Sequence, residues 1–293
     1  HPRQCTRKSA QITSSTVHDW KALMLAKRYG QRIAIQISFP TAHQSEGHSQ
    51  TRFNPVVNNS PELARLVQVT DQTKTQKQVF QARVKVINGC TIYFHGRSGE
   101  KQVISVDTNV VFIDERDFDK RDDKIAMLEA RTGHDFVFRT EYTKGLIEHY
   151  STPSMPGYGI DGVFMASDQR YYFVSCTRCH HEFMNMFDEH CVHGFYAKNE
   201  QKYDGDIYWR CPKCKRRLDL VEIGHWDPRD PLEVRHCQWI PTKPENSRGY
   251  EGWHGRHIGK DNCCFRWVSP KELLSNRDDP KKYGKQENLF FNM

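Results

Sequence analysis

The sequence contains no stretch of eighteen consecutive apolar residues, and no apolar signal-peptide core follows its first residues. A helix that crosses a bilayer needs about 20 mostly apolar residues, so the sequence predicts neither a membrane protein nor a secreted one. Hydrophobic residues make up only 37% of the chain and charged residues 27%, which is typical of a polar, soluble protein. At 293 residues the chain can bury a substantial core in one large domain or two smaller ones.

Acidic residues are fewer than basic ones: the chain has 36 Asp and Glu and 43 Lys and Arg, which gives a formal net charge of +7. This excess is compatible with a polyanionic partner such as DNA. A disulfide framework is not indicated, because four of the ten cysteines form two Cys-x-x-Cys pairs in a chain without secretory features. We therefore expect a reducing, intracellular setting in which these cysteines bind metal.

The run Val110–Ile113 has four consecutive apolar residues and ends in two carboxylates, Asp114 and Glu115. A continuous apolar run with β-branched residues predicts a strand buried on both faces of a sheet. Open α/β sheets place their chemistry at the carboxyl ends of such strands, so both acids are candidate catalytic residues. In nucleotide hydrolases the first acid of such a pair holds Mg²⁺ and the second polarises the attacking water. The alternative is a core strand that runs into a solvated acidic turn.

Residues 2–9 have the spacing of a phosphate-binding loop that ends in Lys8 and Ser9, and a helix-compatible run follows over residues 10–29. In such a loop the lysine reaches the β- and γ-phosphates, the hydroxyl binds Mg²⁺, and backbone N–H groups at the helix start hold the anion. Pro2 and Arg7 occupy the positions at which the usual motif has glycines. A basic terminal tail is the alternative interpretation.

Alternating and apolar runs predict further strands over residues 32–41 (stopped by Pro40), 103–105 and 136–140, a short strand or extended segment over residues 147–153, and a helix over residues 125–132. Residues 83–87 and 91–94 alternate on either side of Asn88-Gly89, which is a strong signal for a β-hairpin. Strands interleaved with helical segments predict an α/β fold.

The strongest local signal is the pair of motifs Cys176-x-x-Cys179 and Cys211-x-x-Cys214. Two tight turns that each carry two thiolates supply the four ligands of a tetrahedral structural Zn²⁺ site, and the aromatic strand-like runs before them suit a zinc ribbon. Other possible ligands lie between the motifs, namely His180, His181, His190, Cys191 and His193. The paired cysteines are favoured, with ordinary buried thiols as the alternative. Basic residues beside the motifs offer either a DNA contact or a solvated face: Arg178, Lys213, Lys215, Arg216 and Arg217.

The order of these pieces resembles the ATPase domain of the large terminase subunit of tailed phages, in its lambda-like, GpA-type subgroup. Arg3-Gln4 ahead of Lys8-Ser9 looks like that family's deviant Walker A motif, and Val111–Glu115 looks like its Walker B motif. Ser151–Pro153 looks like its coupling motif. Residues 155–160 and 167–170 resemble the segment that leads to a zinc module, so the resemblance spans residues 2 to about 275.

This resemblance implies a P-loop (ASCE, RecA-like) α/β fold with a mostly parallel sheet flanked by helices and a small zinc-ribbon module. It implies an ATPase domain over residues 1–170 whose first strand is missing, and a zinc ribbon over residues 171–225. Residues 226–275 would return to the ATPase or a linker subdomain, and residues 276–293 would be a polar tail. The chain would then be a fragment, and the family's nuclease domain, with its clustered acids, is not recognisable in it.

The resemblance also assigns roles within a nucleotide site. The catalytic residues would be Glu115, Asp114, Lys8, Arg3 and Arg7, with Glu115 on the attacking water and Arg3 or Arg7 as an arginine finger. The nucleotide-binding residues would be Gln4, Lys8, Ser9 and Thr152, with Thr152 sensing the γ-phosphate. Mg²⁺ would be held by Ser9 and Asp114, and Zn²⁺ by Cys176, Cys179, Cys211 and Cys214.

The function implied is that of an ATP-hydrolysing motor that moves double-stranded DNA into the procapsid, with ATP, Mg²⁺ and Zn²⁺ as cofactors. Its partners would be DNA, the small terminase subunit, the portal and further copies in a ring, in the host cytoplasm and without a membrane. Two alternatives stay open: a helicase-type ATPase, and a zinc-ribbon nucleic-acid-binding protein without catalysis.

Overall fold

The computed structural model describes residues 2–9, 14–67, 83–99, 106–118, 122–132, 136–138, 141–143, 145–197, 200–218, 237–249, 252–259 and 269–278. The chain divides into two compact units. The first holds residues 1–5, 10–152 and 158–160, and the second holds residues 6–9, 153–157 and 161–293. The strand predicted over residues 103–105 lies outside the described residues, and the predicted domain boundaries near 170, 225 and 275 stay predictions.

The strands of the first unit are β1 (Arg3–Lys8, of which residues 6–8 count with the second unit), β2 (Ala34–Phe39), β3 (Val84–Ile87), β4 (Cys90–Gly96), β5 (Val110–Asp114), β6 (Phe136–Phe138), β7 (Glu141–Thr143) and β8 (Leu146–Ser151). Its helices are α1 (Ser14–Tyr29), α2 (Ala42–His48), α3 (Asn54–Asn58), α4 (Pro61–Leu66) and α5 (Asp122–Ala130). Shorter turns are the 3₁₀ segments Gly30–Arg32 and Arg116–Phe118 and the π-helical segment Ser49–Phe53.

The main sheet of this unit has the strand order β1-β8-β5-β2-β4-β3. Strand β2 pairs in parallel with β4 and β5, and β5 pairs in parallel with β8, whereas β3 is antiparallel to β4. The fold is therefore an α/β fold with a mostly parallel sheet, as predicted. Because parallel strands point the same way, β2, β5 and β8 all end at one edge of the sheet, called the carboxyl edge below.

The local chemistry of the chain explains these elements. Every residue of β5 is buried, as its continuous apolar run predicts. The predicted hairpin is confirmed: Asn88 and Gly89 have φ values of 51° and 78°, which suit a two-residue turn of type I′. After β2, Thr41 begins α2 with a reciprocal capping box to Gln44, so the chain turns away from the sheet at this point.

The segment predicted as a phosphate-binding loop is a strand, so that prediction is wrong. Arg3–Lys8 form β1, and within the first unit the carbonyl of Pro2 accepts a hydrogen bond from the N–H of Ile147 (2.8 Å). Within the second unit, the N–H of Ser9 donates to the carbonyl of Ile258 (3.0 Å). Since a strand thus precedes residues 9–13, the expectation that this strand is missing is also wrong. Partners so distant in sequence leave no trace in the local spacing.

The second unit contains β9 (Arg170–Ser175), β10 (Glu182–Met184), β11 (Val192–His193), β12 (Tyr208–Trp209), β13 (Cys237–Pro241) and β14 (His254–Ile258), with α6 (Gly159–Met165, whose first two residues count with the first unit), a 3₁₀ turn (Pro244–Ser247) and α7 (Pro270–Asp278). Strand β9 is antiparallel to β10 and β13 and parallel to β14, and β11 pairs with β12. Within the described part of the chain, no helix combines the length and apolarity needed to cross a membrane.

Residues 276–278, the first residues of the predicted polar tail, belong to a helix. Helix α7 continues to Asp278, and the buried guanidinium of Arg277 donates to the carbonyl of Tyr196 (2.7 Å). The hydroxyl of Tyr196 in turn donates to the carboxylate of Asp278 (2.7 Å). These polar side chains are fixed by tertiary partners, which the composition of residues 276–278 does not reveal, and residues 279–293 lie outside the described residues.

Candidate active site and metal centre

Strand β5, called the acid-tipped strand below, ends in Asp114 and is followed by Glu115, so both candidate acids lie at the carboxyl edge of the first unit. The side chain of Asp114 is buried, and its Oδ1 accepts a hydrogen bond from the N–H of Glu115 (2.9 Å). Glu115 has φ of +49°, a left-handed conformation that non-glycine residues adopt at a cost. The chain therefore turns sharply at the second acid instead of continuing the strand.

A buried arginine holds this turn, and sequence reasoning missed it. The guanidinium of Arg97, which is 0% exposed, donates to the carbonyl oxygen of Ser38 at the end of β2 (2.8 Å). It also donates to the carbonyl oxygens of Asp114 (2.9 Å) and Glu115 (3.1 Å). The ammonium of Lys124 donates to the carbonyl of Arg97 itself (2.8 Å). One side chain thus ties together the ends of two neighbouring strands and the unusual backbone at Glu115.

The end of β8 lies beside the same turn. The N–H of Asp117 donates to the hydroxyl of Ser151 (3.1 Å), and this hydroxyl lies within hydrogen-bonding distance of the Thr152 carbonyl (3.1 Å). A carboxylate oxygen of Asp117 accepts from the N–H of Ile160 (2.7 Å). Within the first unit, the structure therefore brings the predicted residue Thr152 to the edge that carries Asp114 and Glu115.

A second buried acid lies near this edge on α1. Both carboxylate oxygens of Asp19 contact Nε2 of His48, at 3.0 and 2.9 Å. Burial raises the pKa of Asp19, the hydrogen bond and charge of His48 oppose that shift, and the negative charge of Asp114 adds to it. Asp19 follows no recognisable motif, so only the tertiary structure reveals it.

The predicted residue Gln4 has a partner away from the acids. Its Oε1 accepts a hydrogen bond from the ammonium of Lys21 on α1 (3.4 Å). The same ammonium pairs with Glu148 on β8, whose side chain is completely buried and also accepts from the hydroxyl of Tyr150 (2.7 Å). Gln4 therefore belongs to a polar cluster between helix and sheet.

Arg3 lies at the opposite end of β8 from the acids. Its neighbour Pro2 bonds to Ile147, four residues before Ser151, which is about 13 Å along a strand. Burial alone would raise the pKa of Glu129, but a hydrogen bond from His149 and the charges of Arg116 and Arg3 lower it instead. This ionic setting argues against the predicted arginine-finger role of Arg3.

The guanidinium of Arg7 is likewise held by neighbouring side chains, in this case within the second unit. Its guanidinium forms a salt bridge with Asp161, donates to Nδ1 of His257 (3.1 Å) and lies 4.2 Å from the ring centroid of Phe164. An arginine finger must reach a ligand with a free guanidinium, so this geometry argues against that role for Arg7 as well.

Lys8 and Ser9 lie at the end of β1 and are both buried. Among the described residues of the second unit, no carboxylate pairs with the Lys8 ammonium. Residues 10–13, which connect Ser9 to α1, lie outside the described residues.

The four predicted cysteines form one cluster in the second unit. The Sγ atoms of Cys176 and Cys214 are 3.7 Å apart, as are those of Cys179 and Cys211, and all four lie within 4.8 Å of one another. A tetrahedron with Zn–S bonds of about 2.3 Å has S···S edges of about 3.8 Å, so the four thiols fit a Zn²⁺ ion. The prediction that these cysteines come together is confirmed.

The two motifs fold into matching turns. In the first, the N–H of His180 donates to the carbonyl of Cys176 (2.8 Å), and in the second the N–H of Lys215 donates to the carbonyl of Cys211 (3.0 Å). His180 and Lys215 occupy equivalent positions and have positive φ values of 54° and 60°. Each turn therefore directs two thiols toward one point, an arrangement that suits a tetrahedral Zn²⁺ site.

Burial and local hydrogen bonds give the thiols of this unit different pKa values. Burial raises the pKa of Cys211 to about 12, whereas the backbone N–H of Arg216 helps lower the pKa of Cys214 to about 7. Cys191, a possible competing ligand, packs into the apolar cluster of this unit, and burial raises its pKa to about 11. His193 stacks on Tyr208 with ring centroids 4.7 Å apart. Within the described residues, neither these two residues nor the other histidines join the cysteine cluster.

Comparison with known proteins identifies the family. No curated protein sequence matches the chain. The family described as "Phage terminase large subunit gpA, ATPase domain" matches residues 5–222, a range that includes the acid-tipped strand, Thr152 and all four clustered cysteines. Because the match covers well over half of the chain, this protein belongs to the family of ATPase domains of phage terminase large subunits, the ATPases of phage DNA packaging.

Proposed function

We propose that this chain binds Mg²⁺-ATP at the carboxyl edge of its parallel sheet and couples ATP hydrolysis to the movement of double-stranded DNA into a procapsid. The observation that carries the proposal is the buried strand that ends in Asp114 and Glu115, with its turn held by Arg97. Family membership favours this function over the helicase and the non-catalytic alternatives.

The two acids suit different roles because their backbones differ. Asp114 ends the strand as a buried carboxylate without an ion-pair partner among the described residues, and such a group fits a divalent cation, which prefers oxygen ligands. Mg²⁺ supplies charge neutralisation at the phosphates when it is bound. At Glu115 the backbone turns out of the strand, with φ of +49°, and we propose that its carboxylate orients the attacking water.

The phosphate-binding segment is proposed for the connection between β1 and α1. A strand followed by a short connection and a helix is the layout in which backbone N–H groups at a helix start hold phosphate. Lys8 would then neutralise the phosphates and Ser9 would bind Mg²⁺, while Thr152 would respond to the γ-phosphate. Lys8 and Ser9 count with the second unit and the acids with the first, so this part of the proposal rests on sequence and family.

The zinc ribbon supports DNA as a partner. Its two cysteine turns and their flanking residues contain one exposed acid, Glu182, and six basic side chains: Arg178, Arg210, Lys213, Lys215, Arg216 and Arg217. Such a surface suits contacts with phosphates, which give affinity without sequence preference. We further propose that the chain works in the host cytoplasm, assembled as a ring with the small terminase subunit and the portal.

The test compares ATP hydrolysis by the wild type, Glu115→Gln and Asp107→Asn, with and without duplex DNA. Asp107→Asn is the matched control, because Asp107 is an exposed carboxylate that precedes β5 and pairs with Arg131 (3.1 Å). Loss of water activation should lower the turnover of Glu115→Gln by a factor of about 10² to 10⁴ while ATP binding persists. The control should hydrolyse ATP like the wild type.

Each half of the proposal fails separately. Unchanged hydrolysis in Glu115→Gln would remove the assigned catalytic role. Full hydrolysis combined with no response to duplex DNA would retain the ATPase and contradict the coupling to DNA.

A further inference from the structure

A polar cleft opens at the edge of the parallel sheet opposite the carboxyl edge, and three arginines line it. The cleft encloses about 520 Å³ and is bounded by Arg28, Arg32, Arg65, Tyr29 and the Asn88-Gly89 turn; it is called the arginine cleft below. Strands β2 and β4 begin here, and a six-residue strand spans about 20 Å, so the arginine cleft is far from Asp114.

The charge of the arginine cleft is uncompensated within the described residues. No Asp or Glu lines it, and none of its three guanidinium groups takes part in an ion pair there. The nearby cation Lys27 is paired with Glu62, which is not among the lining residues. Three like charges around one cleft repel one another, and an anion bound between them would remove that repulsion.

Hydrogen bonds fix the floor of the arginine cleft. The side-chain amide of Asn88 donates to the carbonyls of Ala26 (3.3 Å) and Lys27 (3.0 Å) in the last turn of α1. Its backbone N–H donates to the carbonyl of Leu66 at the end of α4 (2.8 Å). Gly30 has φ of +57°, and a Cβ there would lie 2.8 Å from the Asn88 carbonyl, so the helix end and the hairpin are in close contact.

This floor also removes an obstacle to anion binding. The carboxyl end of a helix carries a partial negative charge on its unpaired carbonyls, which disfavours an anion nearby. Asn88 satisfies two of those carbonyls at the end of α1. The arginines come from three separate elements: the last turn of α1, the 3₁₀ turn after it, and α4.

We propose that the arginine cleft binds phosphate groups. Arginine forks donate paired hydrogen bonds to phosphate oxygens, and three forks around a fixed floor match one or two adjacent phosphates. The phosphates can belong to a nucleic-acid backbone or to a free phosphate compound, and the experiment separates these sources. The proposal goes beyond the ATP site and does not depend on the roles assigned to Asp114 and Glu115.

The test uses the double variant Arg32→Ala/Arg65→Ala and the charge-matched control Arg83→Ala/Arg131→Ala. The control arginines are partly exposed, lie outside the arginine cleft and pair with Glu46 and Asp107. The first measurement is binding of a fluorescent 20-base-pair duplex over a series of salt concentrations. The second is calorimetric binding of pyrophosphate in Mg²⁺-free buffer. Thermal unfolding and ATP turnover, which should match the wild type, verify that both variants are folded.

Two lost phosphate contacts should reduce the slope of log K against log salt by about 1.8 for the duplex, because each contact contributes about 0.9. That result supports the proposal and identifies a nucleic-acid backbone as the source. Loss of one pyrophosphate site, with duplex binding unchanged, supports it and identifies a free phosphate compound. If the double variant matches the control in both measurements, the proposal is overturned. Should the double variant unfold, the single change Arg65→Ala gives the same test with half the change in slope.

Discussion

Replacing Arg97 tests whether the turn at Glu115 depends on one buried guanidinium. Arg97→Met would leave three main-chain carbonyls without their donor, at about 1–3 kcal/mol each, which approaches the whole stability of a typical domain. Arg97→Lys is the sharper change, because an ammonium keeps the charge but lacks the planar fork. If the lysine donates a hydrogen bond to one carbonyl and leaves the other two without a donor, the free energy of unfolding should fall by about 2–6 kcal/mol.

The assay combines thermal unfolding with steady-state ATP hydrolysis at a temperature where Arg97→Lys is folded. Because the Glu115 carbonyl loses its anchor, the carboxylate should be held less firmly, and we expect kcat to fall while KM for ATP changes little. Arg83→Lys, at an exposed salt bridge, is the control and should leave both quantities unchanged. A variant that is less stable yet keeps the wild-type kcat would refute the positioning of Glu115. A variant with unchanged stability would refute the hydrogen-bond argument itself.

Three further predictions concern metal, a buried ion pair and pH. Cys176→Ser should abolish stoichiometric Zn²⁺ in metal analysis and lower the thermal midpoint, because this thiol lies both in the metal cluster and in the apolar cluster of its unit; a full zinc complement would contradict the site. Glu148→Ala should destabilise the first unit by about 1–3 kcal/mol in urea unfolding, because the ammonium of Lys21 loses its carboxylate partner and keeps only the amide oxygen of Gln4, whereas Glu148→Gln should cost less. Burial, aided by the charge of Arg170, lowers the pKa of His254 from 6.5 to about 4. The unfolded chain therefore takes up this proton first as the pH falls, so stability should decline between these two values, and His254→Gln should flatten that part of the stability-against-pH curve.

Structural features whose sequence signals lie within a few residues of one another can be predicted from the sequence alone. The Asn88-Gly89 hairpin follows from two positive φ values in one turn, and β5 follows from four apolar residues in succession. The cysteine cluster was also predictable, because each Cys-x-x-Cys motif places two ligands in one tight turn. In each case the physical cause is local, so an unaligned sequence contains it.

The beginning of the chain shows where local reasoning fails. Residues 2–9 satisfy the spacing of a loop, yet Arg3–Lys8 form β1, and the flanking residues Pro2 and Ser9 bond to Ile147 and Ile258. Because sheet partners are chosen across more than a hundred residues, nothing near Lys8 reveals them. Arg3 and Arg7 looked like free cations in the sequence, but the fold gave each of them a fixed ionic or aromatic setting.

The sequence by itself determined the acid-tipped strand, the hairpin and the cluster of four cysteines, because backbone propensity, turn chemistry and cysteine spacing act over short distances. Only the tertiary structure decided which arginines are buried among hydrogen-bond partners and which lie exposed at a cleft. Arg97 is fully buried beneath the Glu115 turn, whereas Arg28, Arg32 and Arg65 line an open cleft that has no carboxylate among its described lining residues. An arginine has the same chemistry in either place, and its role depends on which carbonyls, carboxylates or solvent the fold brings to its guanidinium.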